Sequence, residues 1–110
     1  MRPWGCYRVL SSESAYQIKQ ITVNLNQRLS LQSHQFRSEH WFILSGEAEV
    51  EKDGIIYLLK FPDSIFIPAG VKHRVRAVGK SNLHFIEIQS GTSFQEDDIF
   101  RYEDDYGRVN

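Results

Sequence analysis

Cysteine is nearly absent from this chain. Cys6 stands alone, so no intramolecular disulfide can form and no second thiol lies at zinc-ribbon spacing. It is read as a small packing residue. No apolar run reaches signal-peptide or membrane-span length, and Met1-Arg2-Pro3-Trp4-Gly5 opens into polar sequence. With neither export signal nor disulfide, the expected location is the cytoplasm. An excess of one charge is also lacking. The formal net charge is −1, so there is no broad basic field for nucleic acid or an anionic membrane, although a local patch could hold one phosphate. Proline and glycine are few, and repeats, linkers and low-complexity tracts are missing. The 110 residues read as one domain, of a size that buries a core without disulfides.

What is present is a succession of short β-rich segments. Residues 1–10 hold Pro3 and Gly5 around aromatics and read as an irregular arm pinned by Trp4 and Tyr7, followed by a turn to Ala15. From Tyr16 to Val23 β-formers dominate. Asn24-Leu25-Asn26 reads as a turn, and Arg28 to His34 alternates, with Leu29 and Leu31 opposite Arg28, Ser30, Gln32 and His34. Glu39–Ser45, Glu47–Glu51, Ile55–Leu59, Ile65–Ile67, Val71–Val78 and Leu83–Gln89 complete the strand set, with Lys52-Asp53-Gly54 as a hairpin signal. This spacing, without a helical period, predicts an all-β sandwich or barrel. The organisation expected is an arm over 1–15, a barrel core over 16–89 and a closing segment over 90–110. The acidic tail also carries Ile99, Phe100, Tyr102 and Tyr106, so part of it should pack.

The chemistry-bearing stretch is Gln32-Ser33-His34-Gln35-Phe36-Arg37-Ser38-Glu39-His40-Trp41. Residues two apart in a strand share a face, so Gln32 and His34 should converge, and Glu39 can return to that side from the next strand. His73 is the candidate fourth donor. Each has an ordinary alternative: a hydrogen-bonded strand histidine, a polar residue at a barrel mouth, or a carboxylate paired with Arg37 or Arg74. Together they form a donor set of one amide, two imidazoles and one carboxylate, at the place where small barrels hold ligands.

Gln32-x-His34-x4-Glu39-x6-Gly46 resembles the first cupin motif, with Gln in place of the first histidine. Pro68-x-Gly70-x2-His73 resembles the second. Ala77 stands where the second motif usually ends in Asn, and Pro62 where it usually opens with Gly. Arg2-Pro3-Trp4-Gly5-x-Tyr7, Arg28-Leu29-Ser30-Leu31-Gln32, Arg37-Ser38-Glu39-His40-Trp41 and Ile67-Pro68-Ala69-Gly70 are similar to the type II mannose-6-phosphate isomerase domain. So are Ile86-Glu87-Ile88-Gln89-Ser90-Gly91, Glu96-Asp97-Asp98-Ile99-x-Arg101 and Asp104-x-Tyr106-Gly107-Arg108. In that family the domain often follows a sugar-nucleotide guanylyltransferase, and this chain is expected to be the isomerase module standing alone. It departs from the family at Leu25-Asn26, usually Pro-Gly, and at Gln35 and Phe36, commonly histidines.

The resemblance implies a jelly-roll fold and interconversion of mannose 6-phosphate and fructose 6-phosphate through an enediolate. Gln32, His34, Glu39 and His73 would hold one divalent ion, Zn first, with Mn, Fe, Co or Ni also suited to the donors. Such an ion polarises a carbonyl as a Lewis acid. Arg101 is expected near the metal, steadying enediolate or phosphate. Arg108, Lys19 and Asp98 are further substrate contacts, with Lys19 also a candidate in catalysis. For the base, Glu87, Asp97, Asp98 and His40 are the available types, and Glu87 is carried forward as catalytic. The competing readings are another metal-cupin enzyme on a different sugar, and a sugar-binding cupin without turnover. A homodimer is expected, since a small open barrel has edges to protect.

Overall fold

The computed structural model describes residues 2–108. Among these residues, ten strands form two antiparallel five-stranded sheets. The strands are β1 (Gly5–Ser12), β2 (Tyr16–Val23), β3 (Leu31–Ser33), β4 (Arg37–Ser45), β5 (Glu47–Lys52), β6 (Ile55–Lys60), β7 (Ser64–Ile67), β8 (His73–Val78), β9 (Leu83–Gly91) and β10 (Phe100–Glu103). One sheet has the order β1-β2-β9-β4-β7 and the other β10-β3-β8-β5-β6. The all-β jelly roll predicted from strand spacing is the fold observed. No described residue lies in a helix, so none is long and apolar enough to cross a membrane.

The inward residues of each strand change character along its length. In β2 the buried residues are Lys19, Ile21 and Val23; in β9 they are Leu83, Phe85, Glu87 and Gln89; in β4, Arg37, Glu39, Trp41 and Ile43. Register aligns these gradients. Val23 is opposite Leu83, and Ile21, Phe85 and Ile43 form one row. The next row is Lys19, Glu87 and Trp41, and beyond it Gln89 faces Glu39. The facing sheet repeats the pattern: Val50 opposes Val75 and Ala48 opposes Ala77, whereas His73 opposes Gln32 and Gln32 opposes Arg101. One end of the sandwich is therefore an apolar core and the other a buried polar chamber. Trp41 and Phe85 stack at the boundary, ring centroids 5.1 Å apart.

Two expectations change. The supposed irregular arm is largely strand: β1 pairs with β2 from Gly5 to Ser12, with a register shift between Val9 and Ser11. As an edge strand it leaves Arg8, Val9 and Leu10 exposed, so it carries no legible alternation. The strand expected over Arg28–His34 is regular only at Leu31–Ser33; upstream it follows β8 through the isolated Arg28–Arg76 bridge and the Leu29 N–H bond to Val75 O. Its polar side faces inward, with Ser30, Gln32 and His34 buried. In the closing segment, β10 pairs with β3, while Val109 and Asn110 lie outside the described residues.

Two turns show why glycine stands where it does. Gly46 (φ +81°) joins β4 to β5, and a Cβ there would lie 2.4 Å from the Asn82 carbonyl oxygen. Gly54 (φ +80°) follows Asp53 (φ 51°) in a two-residue hairpin, and a Cβ there meets nothing within 4 Å. Gly54→Ala should lose about 1 kcal/mol from backbone strain alone, and Gly46→Ala should lose more, because fixed backbone must move. Urea denaturation checks the ranking; equal losses would remove the close-packing argument for Gly46.

Candidate metal centre and substrate cavity

The polar chamber begins with the register of β3. Gln32 lies between His73 and Arg101 as cross-strand partner of both, so these side chains share one face of the sheet. From the opposite sheet β4 brings Glu39. His34, Glu39 and His73 are almost fully buried, and one donor atom from each lies within 4.8 Å of the others. His34 Nε2 is 3.2 Å from Glu39 Oε2, and His73 Nε2 is 3.7 Å from Glu39 Oε1.

The tautomers follow from the outer contacts. His34 Nδ1 donates to the Asp98 carbonyl oxygen at 2.7 Å, and His73 Nδ1 to that of Val71 at 3.0 Å. Each Nε2 is left with a lone pair directed toward the carboxylate. His73 Nε2 is buried without a hydrogen-bond partner, an expensive condition for a polar atom unless a cation takes the lone pair. These donors fit a divalent ion: two imidazoles oriented by backbone carbonyls, one carboxylate, and the Gln32 amide beside them. Gln32 Oε1 accepts from Ser30 Oγ at 3.0 Å.

Arg37 is the residue that motif reasoning undervalued. Its Nε donates to Glu39 Oε2 at 3.0 Å, its Nη2 is 3.4 Å from His34 Nε2, and its Nη1 has no partner. The i, i+2 spacing from Arg37 to Glu39 on one strand was the available signal. Trp41 also does more than pack, since its Nε1 reaches Glu39 Oε1 (3.0 Å) and Glu87 Oε1 (3.2 Å).

A cavity of about 110 Å³ opens beside the donors. Its cationic lining residues are Arg2, Lys19, Arg37, Arg101 and Arg108, and its carboxyls are Glu39, Glu87 and Glu96. Arg101 Nε is buried without a partner. Arg108 is held by Asp104 through Nε (2.8 Å) and Nη2 (3.1 Å). Lys19, almost fully buried, has its Nζ 3.7 Å from Glu96 Oε2 and 4.3 Å from the Tyr7 ring centroid. Glu96 also accepts hydrogen bonds from Tyr7 and Arg2, fastening the tail across the cavity mouth to β1. Neither Glu96 nor Arg2 was singled out from sequence.

Other expected residues lie elsewhere. The Asp98 carboxylate accepts from the backbone N–H groups of Gln35 and Phe36, each at 2.9 Å, and lines a neighbouring cavity. It braces the loop after His34. Asp97 lines the same neighbouring cavity, and exposed His40 packs on Phe66 on the outer side of β4. Of the four base candidates, Glu87 alone lines the cavity beside the donors.

Burial shifts these groups strongly. It pushes both imidazoles below their ordinary 6.5. Burial acts against the Glu39 charge as well, but the two imidazoles and Arg37 outweigh it and hold the carboxyl at about 2. Glu87 is pushed well above 4.5 by burial and by repulsion from Glu39. For Glu96 burial would raise the pKa, yet the Tyr7 hydrogen bond and the Lys19 and Arg2 charges bring it below 4.5.

Comparison with solved structures gives the class. The fold superposes on a double-stranded β-helix protein from Klebsiella pneumoniae with TM-score 0.80 and 18% identity, covering 94% of this chain and 83% of that one. It also superposes on an RmlC-like cupin from Shewanella frigidimarina, TM-score 0.73 and 23% identity, over 83% and 78%. The chain has the cupin fold. At such identities the likeness concerns the fold alone.

Sequence comparison gives the family. Residues 1–104 match the family described as mannose-6-phosphate isomerase C-terminal, and the chain belongs to it. Xanthan biosynthesis protein XanB of Xanthomonas campestris is 48% identical over 98% of the chain. Mannose-1-phosphate guanylyltransferase of Escherichia coli is 45% identical over 98%, and alginate biosynthesis protein AlgA of Pseudomonas putida 47% over 99%. The chain spans 23%, 23% and 22% of their respective lengths.

A pH prediction follows for the ion-free protein. The unfolded chain takes up protons that the buried imidazoles refuse, so stability should fall as pH drops below 6.5. A second loss begins below 4.5, where the unfolded chain protonates at Glu39 and the native state does not. Glu87 has the opposite sign: the native state keeps a proton that the unfolded chain releases above 4.5, so its contribution declines as pH rises. Glu87→Gln should therefore stabilise the ion-free protein at neutral pH. Denaturant titrations in chelator across this range check both signs, and a destabilised Glu87→Gln protein would contradict the charge assignment.

Proposed function

We propose that this chain carries a metal-dependent aldose–ketose isomerase site acting on mannose 6-phosphate and fructose 6-phosphate, in a cytoplasmic setting. The observation that supports this reading most is the pairing of a two-imidazole, one-carboxylate cluster with a cavity lined by five cationic side chains. The family's description supports mannose 6-phosphate as the aldose, and fructose 6-phosphate is the ketose its isomerisation would give.

A divalent ion held by His34, Glu39, His73 and Gln32, Zn first among the metals suited to these donors, would supply Lewis acidity to the substrate carbonyl. The chain's own residues would do the rest. Arg101, with an unpartnered Nε, presents a guanidinium to phosphate or to the developing enediolate oxygen. Lys19 and Arg108 widen the cationic wall that draws in a dianion. Glu87, the cavity carboxyl outside the donor set, acts in its ionised form, which a cation beside Glu39 would favour by offsetting the repulsion between the two carboxylates; it takes the proton from the carbon next to the carbonyl and returns it to the neighbouring carbon. Gln89 Nε2, donating to Glu87 Oε2 at 2.7 Å, and Trp41 Nε1 fix the orientation of that carboxyl. Glu39 stays ionised, Arg37 helps to hold it, and Trp41 closes the chamber toward the apolar core.

The metal-loaded protein should interconvert the two sugar phosphates in a coupled assay, with the rate abolished by chelation. His34→Ala should lower kcat/KM at least about 100-fold, the upper end for weakening a metal site. Arg101→Ala should lose about 10- to 100-fold, corresponding to one charge-assisted hydrogen bond. Saturable sugar-phosphate binding without turnover by metal-loaded protein would instead define a binding domain.

The expected homodimer has a suitable edge in β6, where Ile55, Ile56 and Leu58 are exposed beside unpaired backbone. Leu58→Lys should shift sedimentation from dimer to monomer. An unchanged dimer would place the contact elsewhere, and a wild-type monomer would remove it.

A further inference from the structure

A second cavity lies next to the one just described and shares His34 and Ile99 with it. Its volume, about 600 Å³, falls within the range of small-molecule sites. Gln35 and Phe36, the two residues that follow His34, are in its lining. The isomerase reading gives this cavity no role.

The lining combines an aromatic floor with a polar rim. Phe36 is 48% exposed and Phe100 50%, a costly display of apolar surface in a chain of this size. Phe100 and Tyr102 are two apart on β10 and share a face, their ring centroids 4.7 Å apart. The aromatics are held in place. The Phe36 N–H donates to Asp98 at 2.9 Å and its carbonyl accepts from the Thr92 N–H at 3.0 Å, while the Tyr102 hydroxyl is 2.9 Å from Ser33 Oγ. Around them stand the Gln35 and Gln95 amides and the Asp97 carboxylate, all on exposed residues. The amide heads both accept from and donate to neighbouring hydroxyls, and the carboxylate accepts from them.

Charge separates the two cavities. Among the described residues, the first is lined by five cationic side chains, and the second by Asp97 and Asp98 with neither lysine nor arginine. A phosphorylated sugar suits the first and is repelled by the second. A ligand for the second must offer an apolar face to the rings, hydroxyls to the rim, and no negative charge. A pyranose ring has that form, with C–H groups on its faces and hydroxyls around its edge. An ammonium ligand is less well served, since Lys72 Nζ already lies 4.3 Å from the Tyr102 ring centroid.

We propose that this second cavity is a binding site for an uncharged pyranose, stacked on Phe36, Phe100 and Tyr102 and held at its rim by Gln35, Gln95 and Asp97. It would hold a neutral sugar unit against the outer side of His34 while the phosphorylated substrate occupies the inner side. Binding would be weak and partly preorganised, because the Phe36 backbone and the Tyr102 hydroxyl are held before the ligand arrives.

The test is a nitrogen-15 NMR titration of the full chain with the methyl glycosides of mannose, glucose and galactose, with choline and inorganic phosphate as charged probes. Saturable shifts at the amides of Gln35, Phe36, Phe100 and Tyr102 with at least one glycoside are expected. Phe36→Ala should weaken that glycoside about tenfold or more, as loss of one stacking platform does, and Gln35→Ala should weaken it less. Both positions are exposed, so both variants should keep the wild-type spectrum elsewhere. The proposal is overturned if no glycoside gives saturable shifts there, if Phe36→Ala binds as well as wild type, or if choline or phosphate binds this cavity more tightly. A loss of self-association in Phe36→Ala, without sugar binding in the wild type, would overturn it by making the surface a contact between copies.

Discussion

The structure depends on one buried carboxylate. Glu39 is 2% exposed and ionised, and an unpaired charge in such a place would cost several kcal/mol. Its neighbours come from both sheets: Arg37 and Trp41, which donate to it, come from its own strand, and the two imidazoles beside it are His34 from the loop after β3 and His73 from β8. The histidines are in turn oriented by the carbonyls of Asp98 and Val71. Through the first of these, the tail becomes part of the centre. Removing the charge would leave Arg37 buried and unpaired, so the ligand cluster is also a structural constraint.

The same carboxylate explains the gradient along the strands. A jelly roll can bury an apolar row anywhere, but a buried charge needs donors from several strands at one level. Aligned inward positions in β2, β4 and β9 supply polar residues at one end only, which leaves Val23, Ile43, Leu83 and Phe85 to form the core at the other. Cross-strand rows then place Lys19 by Glu87 and Gln32 by Arg101. Most of the electrostatics is thus a consequence of register.

Much of this was legible in the sequence, and the rest was missed for physical reasons. Alternation in Glu47–Lys52 and the Asp53-Gly54 turn identified their hairpin directly. His34, Glu39 and His73 were read as converging, and their donor atoms lie within 4.8 Å of one another. β1 was missed because an edge strand with both faces largely in solvent has no alternation to read. Asp98 was expected at the substrate because carboxylate type says nothing of direction; its side chain is taken up by two backbone N–H groups. Arg37 was read only as a possible partner of Glu39 and Glu96 only as part of the tail motif, because their further contacts join distant segments: Arg37 also meets His34, and Glu96 meets Tyr7 and Lys19 across the cavity mouth.

The central claim is that two Nε2 lone pairs and the Glu39 carboxylate make a cation site at the chamber floor. X-ray absorption at the metal edge, on protein loaded with one equivalent of zinc, tests it most directly. The account predicts a nitrogen and oxygen first shell with the multiple-scattering signature of two imidazoles, reduced to one in His73→Ala. A protein that retains no zinc after desalting, or a zinc shell without imidazole, would contradict it.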